Sequence, residues 1–234
     1  MQQQESQTGL VVGIIVVTVL LFAGLTWFIL QAPQDTRTPS GVGEIEPSLT
    51  FNDQSDPTFG PTNAQVVVRL FGDFQCPACR LAEPAVQAMM KKYAERVRFI
   101  WKDFPLTQIH ANARGSANAA RCAEVQGMFW QYHDVLYAKQ DEWSNLTNPR
   151  ETFTTYANEL GLNGTTFSAC LAGQKEDAKV AAGIAEGARN DVDRTPTFFV
   201  GKRRYFGMTL TEWDAAIQKA IEEASSTTTP NVVE

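Results

Sequence analysis

The sequence predicts an α/β domain interrupted by a long helical insertion and preceded by a single transmembrane helix. Three observations predict it. A buried-strand run at Val66–Phe71 leads into the helix-starting Cys76-Pro77-Ala78-Cys79. The eighty residues from Ala111 to Asn190 carry helical rather than alternating patterns, and two short β-prone runs follow them. Far ahead of all this, Gly9–Leu30 is a stretch of 22 residues without a single charge.

Residues 1–8 form a short N-terminal tail. At a helical rise of 1.5 Å per residue, Gly9–Leu30 reaches about 33 Å, enough to cross the hydrocarbon core of a bilayer. No Lys or Arg precedes it and no small-x-small cleavage site follows, so it is read as an uncleaved anchor rather than a cleaved signal. Arg37 alone, on the C-terminal flank, would draw the globular part to the cytoplasmic side, while the cysteine pattern points the other way. Residues 31–62 carry five prolines with scattered Ser, Thr and Gly, which reads as a flexible linker.

The folded domain is expected at 63–223. Val66-Val67-Val68-Arg69-Leu70-Phe71 is its first strand. Pro77 suits the first position of a helix running to about Arg96, which makes Cys76 the N-cap. Unpaired backbone N–H groups and the positive end of the helix dipole then face its sulfur, favouring thiolate over thiol. Val97–Trp101 is a second strand, ending near Lys102 and Asp103, which are read as an internal salt bridge. An Ala-rich helix continues from about Ala111 through Trp130 to Leu136. Shorter helices cover Pro149–Leu160, Thr165–Ala172 and Glu176–Arg189, with Gly161 and Gly173 as stops. Thr197–Val200 and Arg203–Phe206 flank Gly201-Lys202, a hairpin signal. A last helix spans Thr211–Glu223, and residues 224–234 are expected to be a disordered tail.

Net charge is −6, from 20 Lys and Arg against 26 Asp and Glu, with no basic cluster, which argues against nucleic-acid binding. Four cysteines permit three pairings. If Cys76 pairs with Cys79, then Cys122 and Cys170 are left for each other, and a stable second bridge indicates an oxidising, extracytoplasmic compartment. The alternatives are two buried free thiols for that pair and a shared metal ion for Cys76 and Cys79. No second Cys-x-x-Cys or spaced His pair completes a metal site, so no metal and no cofactor are expected. Asp73, three residues before Cys76, is read as a solvated loop acid, with a perturbing or proton-relaying role as the alternative. His110 is read as a capping or surface residue and His133 as a structural one.

Phe71-Gly72-Asp73-Phe74-Gln75-Cys76-Pro77-Ala78-Cys79, Lys102-Asp103-Phe104-Pro105-Leu106, Phe129-Trp130-Gln131-Tyr132-His133-Asp134 and Thr195-Pro196-Thr197-Phe198-Phe199-Val200 occur in this order and spacing. Together they resemble the DsbA-like thiol:disulfide oxidoreductases, which insert a helical subdomain into a thioredoxin fold. The resemblance implies that Cys76 is the nucleophile, Cys79 the resolving cysteine and Pro196 a cis-proline facing the dithiol. It implies that Pro77 and Ala78 complete the redox motif, and that Thr195 offers its backbone to an extended client. It implies protein thiols as clients and, as reoxidant, a membrane quinone reductase of the DsbB or vitamin-K-epoxide-reductase type. The leading expectation is a dithiol oxidase acting on secreted or envelope proteins. A reductase or isomerase with the same dithiol is the alternative, and a metal-binding thioredoxin-like module is a remote one. Isomerases usually need a dimerisation module, and no evident folded segment supplies one, which disfavours the isomerase alternative; a monomer is expected.

Overall fold

The computed structural model describes Ser48–Thr227, together with Leu20, Phe22 and Trp27. Most of Gly9–Leu30 therefore lies outside the described residues, as do most of 31–62 and residues 228–234. Among the described residues, no helix is long and apolar enough to cross a membrane.

The domain is built on one five-stranded sheet of order β1-β3-β2-β4-β5. Its strands are β1 (Thr58–Phe59), β2 (Val66–Gly72), β3 (Val97–Asp103), β4 (Thr197–Val200) and β5 (Arg203–Tyr205). β2 runs parallel to β3 and antiparallel to β4, with Leu70 opposite Trp101 on one side and Phe198 on the other. β1 and β5 pair antiparallel at the two edges. Alternation along the central strands sends their side chains to two cores. Val68, Leu70 and Phe198 join the main core, while Phe71 and Phe199 point to the opposite face and pack with Leu49, Phe104 and Val192.

α1 (Pro77–Lys92) buries Cys79, Glu83, Val86, Met89 and Met90, a stripe at helical spacing. It stops four residues earlier than Arg96, in a turn where the Val97 N–H donates to the Tyr93 carbonyl. The helical insertion consists of α2 (Ala113–Glu124), α3 (Phe129–Ala138), α4 (Gln140–Trp143), α5 (Arg150–Glu159), α6 (Gly164–Ala172) and α7 (Asp177–Arg189). The expected single helix through Leu136 is thus two. Gly127, at φ +76°, turns the chain between α2 and α3 in a conformation that other residues reach only at a cost. α8 (Leu210–Thr227) packs Trp213 edge-on against Phe198 and extends past the predicted Glu223, so residues 224–227 are helical and not part of the expected tail.

The largest departure concerns the expected linker at 31–62. Its described part, from Ser48, is a strap bound to the domain. Leu49 is buried, the Phe51 ring meets Phe199 at 5.1 Å, and β1 adds a strand to the sheet edge. Two fully buried cations hold the strap. Lys102 Nζ lies 2.6 Å from Asp56, 3.1 Å from Asp53 and 2.6 Å from Glu186. Arg121 donates to Asp103 at 2.6 Å and to Asp56 at 2.7 Å, and its third nitrogen reaches the Ser55 carbonyl at 2.9 Å. Asp53 and Asp56, two acids of the expected linker, are counter-ions of this cluster. A charge is buried at acceptable cost only where such partners meet it.

Candidate active site

β2 ends at Gly72, and the chain passes through Asp73-Phe74-Gln75 to place Cys76 at the N-cap of α1, with Pro77 in the first turn. Both thiols are free and buried. The Thr195–Pro196 peptide bond is cis, and the Cys76 Sγ–H donates to the Thr195 carbonyl oxygen at 3.5 Å. The fold therefore brings Cys76, Pro77, Ala78, Cys79, Thr195 and Pro196 to one place across 119 positions of sequence.

The two sulfurs are driven apart in acidity. The Cys76 thiol is pulled down to about 5, first by the hydrogen bond from Cys79 and then by the Thr195 side chain and the Cys79 and Ala78 N–H groups, against the opposing effect of burial. Burial pushes Cys79 well up, and the neighbouring Cys76 sulfur adds to it. One thiol is prepared to be a thiolate and the other to keep its proton.

The loop carrying Cys76 is fixed by residues that the sequence does not single out. The Gln140 amide donates to the carbonyls of Phe74, at 2.7 Å, and of Cys76, at 3.1 Å. The Tyr137 hydroxyl donates to the Asp73 carbonyl. Gln75 donates to the Ser144 carbonyl and accepts from the Asn112 N–H. The insertion thus grips the dithiol loop directly. Asp73 is not the solvated acid expected of it. It is buried and accepts from the N–H groups of Gln75 and Leu106, while His110 Nδ1 lies 2.6 Å away. His110 is therefore an Asp73 partner rather than a surface residue. Lys102 and Asp103, the last two residues of β3, belong to the strap cluster.

Glu83 is the functional candidate missed in the sequence. It lies one helical turn beyond Cys79 and is the only charged side chain on the buried stripe of α1, which is the signal that could have found it. Burial raises its carboxyl to about 7, with His133 pulling the other way. Next to it, His133 sits inside a ring of aromatics, 4.9 Å from Trp101 and 5.4 Å from Phe74 between ring centres. Glu83, His133 and Asp134 bring ligand-type atoms within 4.8 Å of one another. Glu83 lies 3.9 Å from Nε2 of the imidazole and Asp134 lies 3.0 Å from Nδ1, so the two carboxyls flank the ring.

Cys122 in α2 and Cys170 in α6 are joined by a disulfide, within the main core.

The site is thus a helix-capping dithiol, with one thiol acidified and the other protected, beside a cis-proline on a mixed sheet. Residues 52–219 match the family described as thioredoxin, and the chain belongs to that family. Among solved structures, alpha-DsbA1 of Wolbachia pipientis superposes with a TM-score of 0.68 at 18% identity, covering 78% of this chain and 98% of that one. BdbD of Bacillus subtilis, in its oxidised form, gives 0.63 at 19% identity, covering 81% and 100%. A curated relative, the Na(+)/H(+) antiporter NhaA 3 of Salinispora tropica, is 35% identical over 223 residues, which are 91% of this chain and 33% of that protein. The chain spans about a third of the length of the curated relatives it matches.

Proposed function

We propose that this protein is a membrane-tethered dithiol oxidase that introduces disulfides into protein thiol clients outside the cytoplasm. One observation carries the reading: the Cys76 thiol is pulled down to about 5 beside a Cys79 thiol that is pushed up. A stable Cys76 thiolate stabilises the reduced enzyme and makes the disulfide form a stronger oxidant.

A client thiolate attacks the Cys76 sulfur of the Cys76–Cys79 disulfide and expels Cys79, which takes up a proton. A second client thiolate then attacks the client sulfur of the mixed disulfide and expels Cys76 as its stable thiolate. The client loses two electrons and the dithiol gains them. Glu83, one turn below Cys79 and titrating near neutrality, is the group placed to give Cys79 its proton and to accept it in the reverse direction. The Thr195 backbone beside the cis bond offers a short β-type pairing to the client. Pro77 fixes the helix start, and Ala78 leaves the approach to Cys76 clear.

The Cys122–Cys170 bridge supports an oxidising compartment, and Gly9–Leu30 supports the tether. The reoxidant proposed is a membrane quinone reductase of the DsbB or vitamin-K-epoxide-reductase type. The antiporter name belongs to proteins three times as long and is not carried to this chain. Equilibration of the protein in glutathione buffers tests the direction of electron flow. A Cys76–Cys79 potential above about −200 mV is expected, and a value near −270 mV, that of thioredoxin itself, would make the protein a reductase instead.

A further inference from the structure

Behind the dithiol, two buried polar atoms have no hydrogen-bond partner, Glu83 Oε1 and His133 Nε2. The two residues face each other, with His133 Nε2 3.9 Å from Glu83 Oε2. A cavity of about 20 Å³, lined by Cys79, Glu83, His133 and Tyr137 among others, adjoins them and has room for one water. On the far side of the imidazole, Nδ1 lies 3.0 Å from Asp134 Oδ1. An ionised carboxylate only accepts, so Nδ1 carries the hydrogen and Nε2 turns its lone pair toward Glu83. The His133 side chain is 1% exposed and that of Asp134 is 53% exposed. Cys79, Glu83, His133 and Asp134 thus form a row from a buried sulfur to the solvent.

We propose that His133 and Asp134 are the outlet through which the Cys79 proton crosses between the dithiol and water, with Glu83 as the intermediate carrier. The inference rests on the thiol–disulfide exchange proposed above. When the reduced protein meets a disulfide such as oxidised glutathione, the Cys76 thiolate attacks one sulfur and expels a glutathione thiolate. Cys79 then gives its proton to Glu83, attacks the Cys76 sulfur and expels the second glutathione thiolate. The dithiol loses two electrons and glutathione disulfide gains them. Neutral Glu83 passes its proton to His133 Nε2, and Nδ1 releases one to Asp134 and the solvent. The ring is left as the Nε2–H tautomer, and the inward run of the oxidase half-cycle restores the starting one. In the oxidase direction the same row runs inward and refills Glu83. The titratable groups facing this row are few. Cys79 and Glu83 come from α1, His133, Asp134 and Tyr137 from α3, and Asp73 from the loop before Cys76. The strands and the cis-proline loop offer the cavity Leu70, Phe71, Trp101, Pro196 and Phe198, which carry no charge.

A packing role for His133 and a surface role for Asp134 make a different prediction, and kinetics separate the two. The reduced full chain is mixed with increasing oxidised glutathione between pH 5 and 9. The slope at low concentration reports attack by Cys76, and the plateau reports resolution by Cys79. In Asp134→Asn and His133→Asn the plateau at pH 7 is expected to fall at least about tenfold, with the slope unchanged. In Asp134→Asn the plateau is also expected to become dependent on buffer concentration, because bulk buffer replaces the missing outlet. The half-exposed Asp134 keeps the test valid should His133→Asn fold poorly. Plateaus equal to wild type at every pH would overturn the proposal, as would a parallel fall of slope and plateau with a lower melting temperature. If the unsubstituted protein forms no mixed disulfide at all, it is the exchange reading that fails.

Discussion

The molecule carries two cysteine pairs in one domain, and they are opposites. Cys76 and Cys79 lie three positions apart along the sequence, free, and set at the positive end of a helix beside the cis-proline loop. Cys122 and Cys170 lie 48 positions apart, bonded, between two helices of the insertion. Burial does not separate them, since all four cysteines are at most 6% exposed. What differs is the polarity of the surroundings. The first pair is met by backbone N–H groups, a hydroxyl and a titrating carboxyl that treat its two sulfurs unequally. The second is met by the hydrocarbon of α2 and α6. Reactivity is therefore a property of the neighbours, and the same element serves as reagent in one place and as staple in the other.

Substitution should separate the pairs completely. Cys76→Ser is expected to abolish exchange with glutathione or a thiol client, while leaving the melting temperature of the reduced protein in place at pH 4.5, where the Cys76 thiolate adds nothing to stability. Measurable turnover in that variant would break the comparison. Next in size is Arg121→Met, one position before Cys122, which strips Asp103 and Asp56 of their buried partner. A loss of about 3–5 kcal/mol in denaturant unfolding is expected, with the potential of the dithiol unmoved. The Cys122→Ser/Cys170→Ser double variant should lose about 3–4 kcal/mol by the loop-closure argument and keep most of its turnover. If turnover falls while stability holds, the second pair is no staple.

Glu83→Gln should have a smaller effect, confined to high pH. Its folded value near 7 lies above the ordinary 4.5, so its contribution to stability is complete below pH 4.5 and is lost as pH rises through 7. The glutamine variant should match wild type at pH 4 and exceed it by about 1–3 kcal/mol at pH 8. Cys76 runs the other way. Its thiolate stabilises the reduced fold fully above the ordinary value of 9, progressively less as pH falls, and not at all below about 5. Alkylation of the reduced protein should therefore half-titrate near pH 5. A midpoint near 9 would remove the asymmetry on which the oxidase reading stands.

Much of this was legible along the chain. Cys76-Pro77-Ala78-Cys79 at a strand–helix junction and Thr195-Pro196 before a β-prone run announce themselves locally, because a helix start and a turn are local events. The hairpin at Gly201-Lys202 and the helical block are legible for the same reason. Glu83 was not, since its meaning depends on α3 delivering His133 from fifty positions away. Gln140 and Tyr137 were hidden likewise, as their partners are backbone carbonyls that carry no sequence signature. The strap was misread because proline, serine and acid describe a tether until Lys102 and Arg121 are known to be buried beneath it.

α7 also crosses the end of β3 on two glycines. A Cβ at Gly183 would sit 2.6 Å from the Asp103 carbonyl oxygen, and one at Gly187 would sit 2.4 Å from the Phe104 ring. Asp103 is the same residue that holds Arg121, so the thickness of a helix backbone sets the height of the buried ion cluster. The strap is tied to that cluster. A pull on the chain ahead of Ser48 meets first Leu49 and Phe51, packed against Phe71 and Phe199, and then Asp53 and Asp56, paired with Lys102 and Arg121. In mechanical terms an apolar plug is the fender and the ion cluster the bollard behind it.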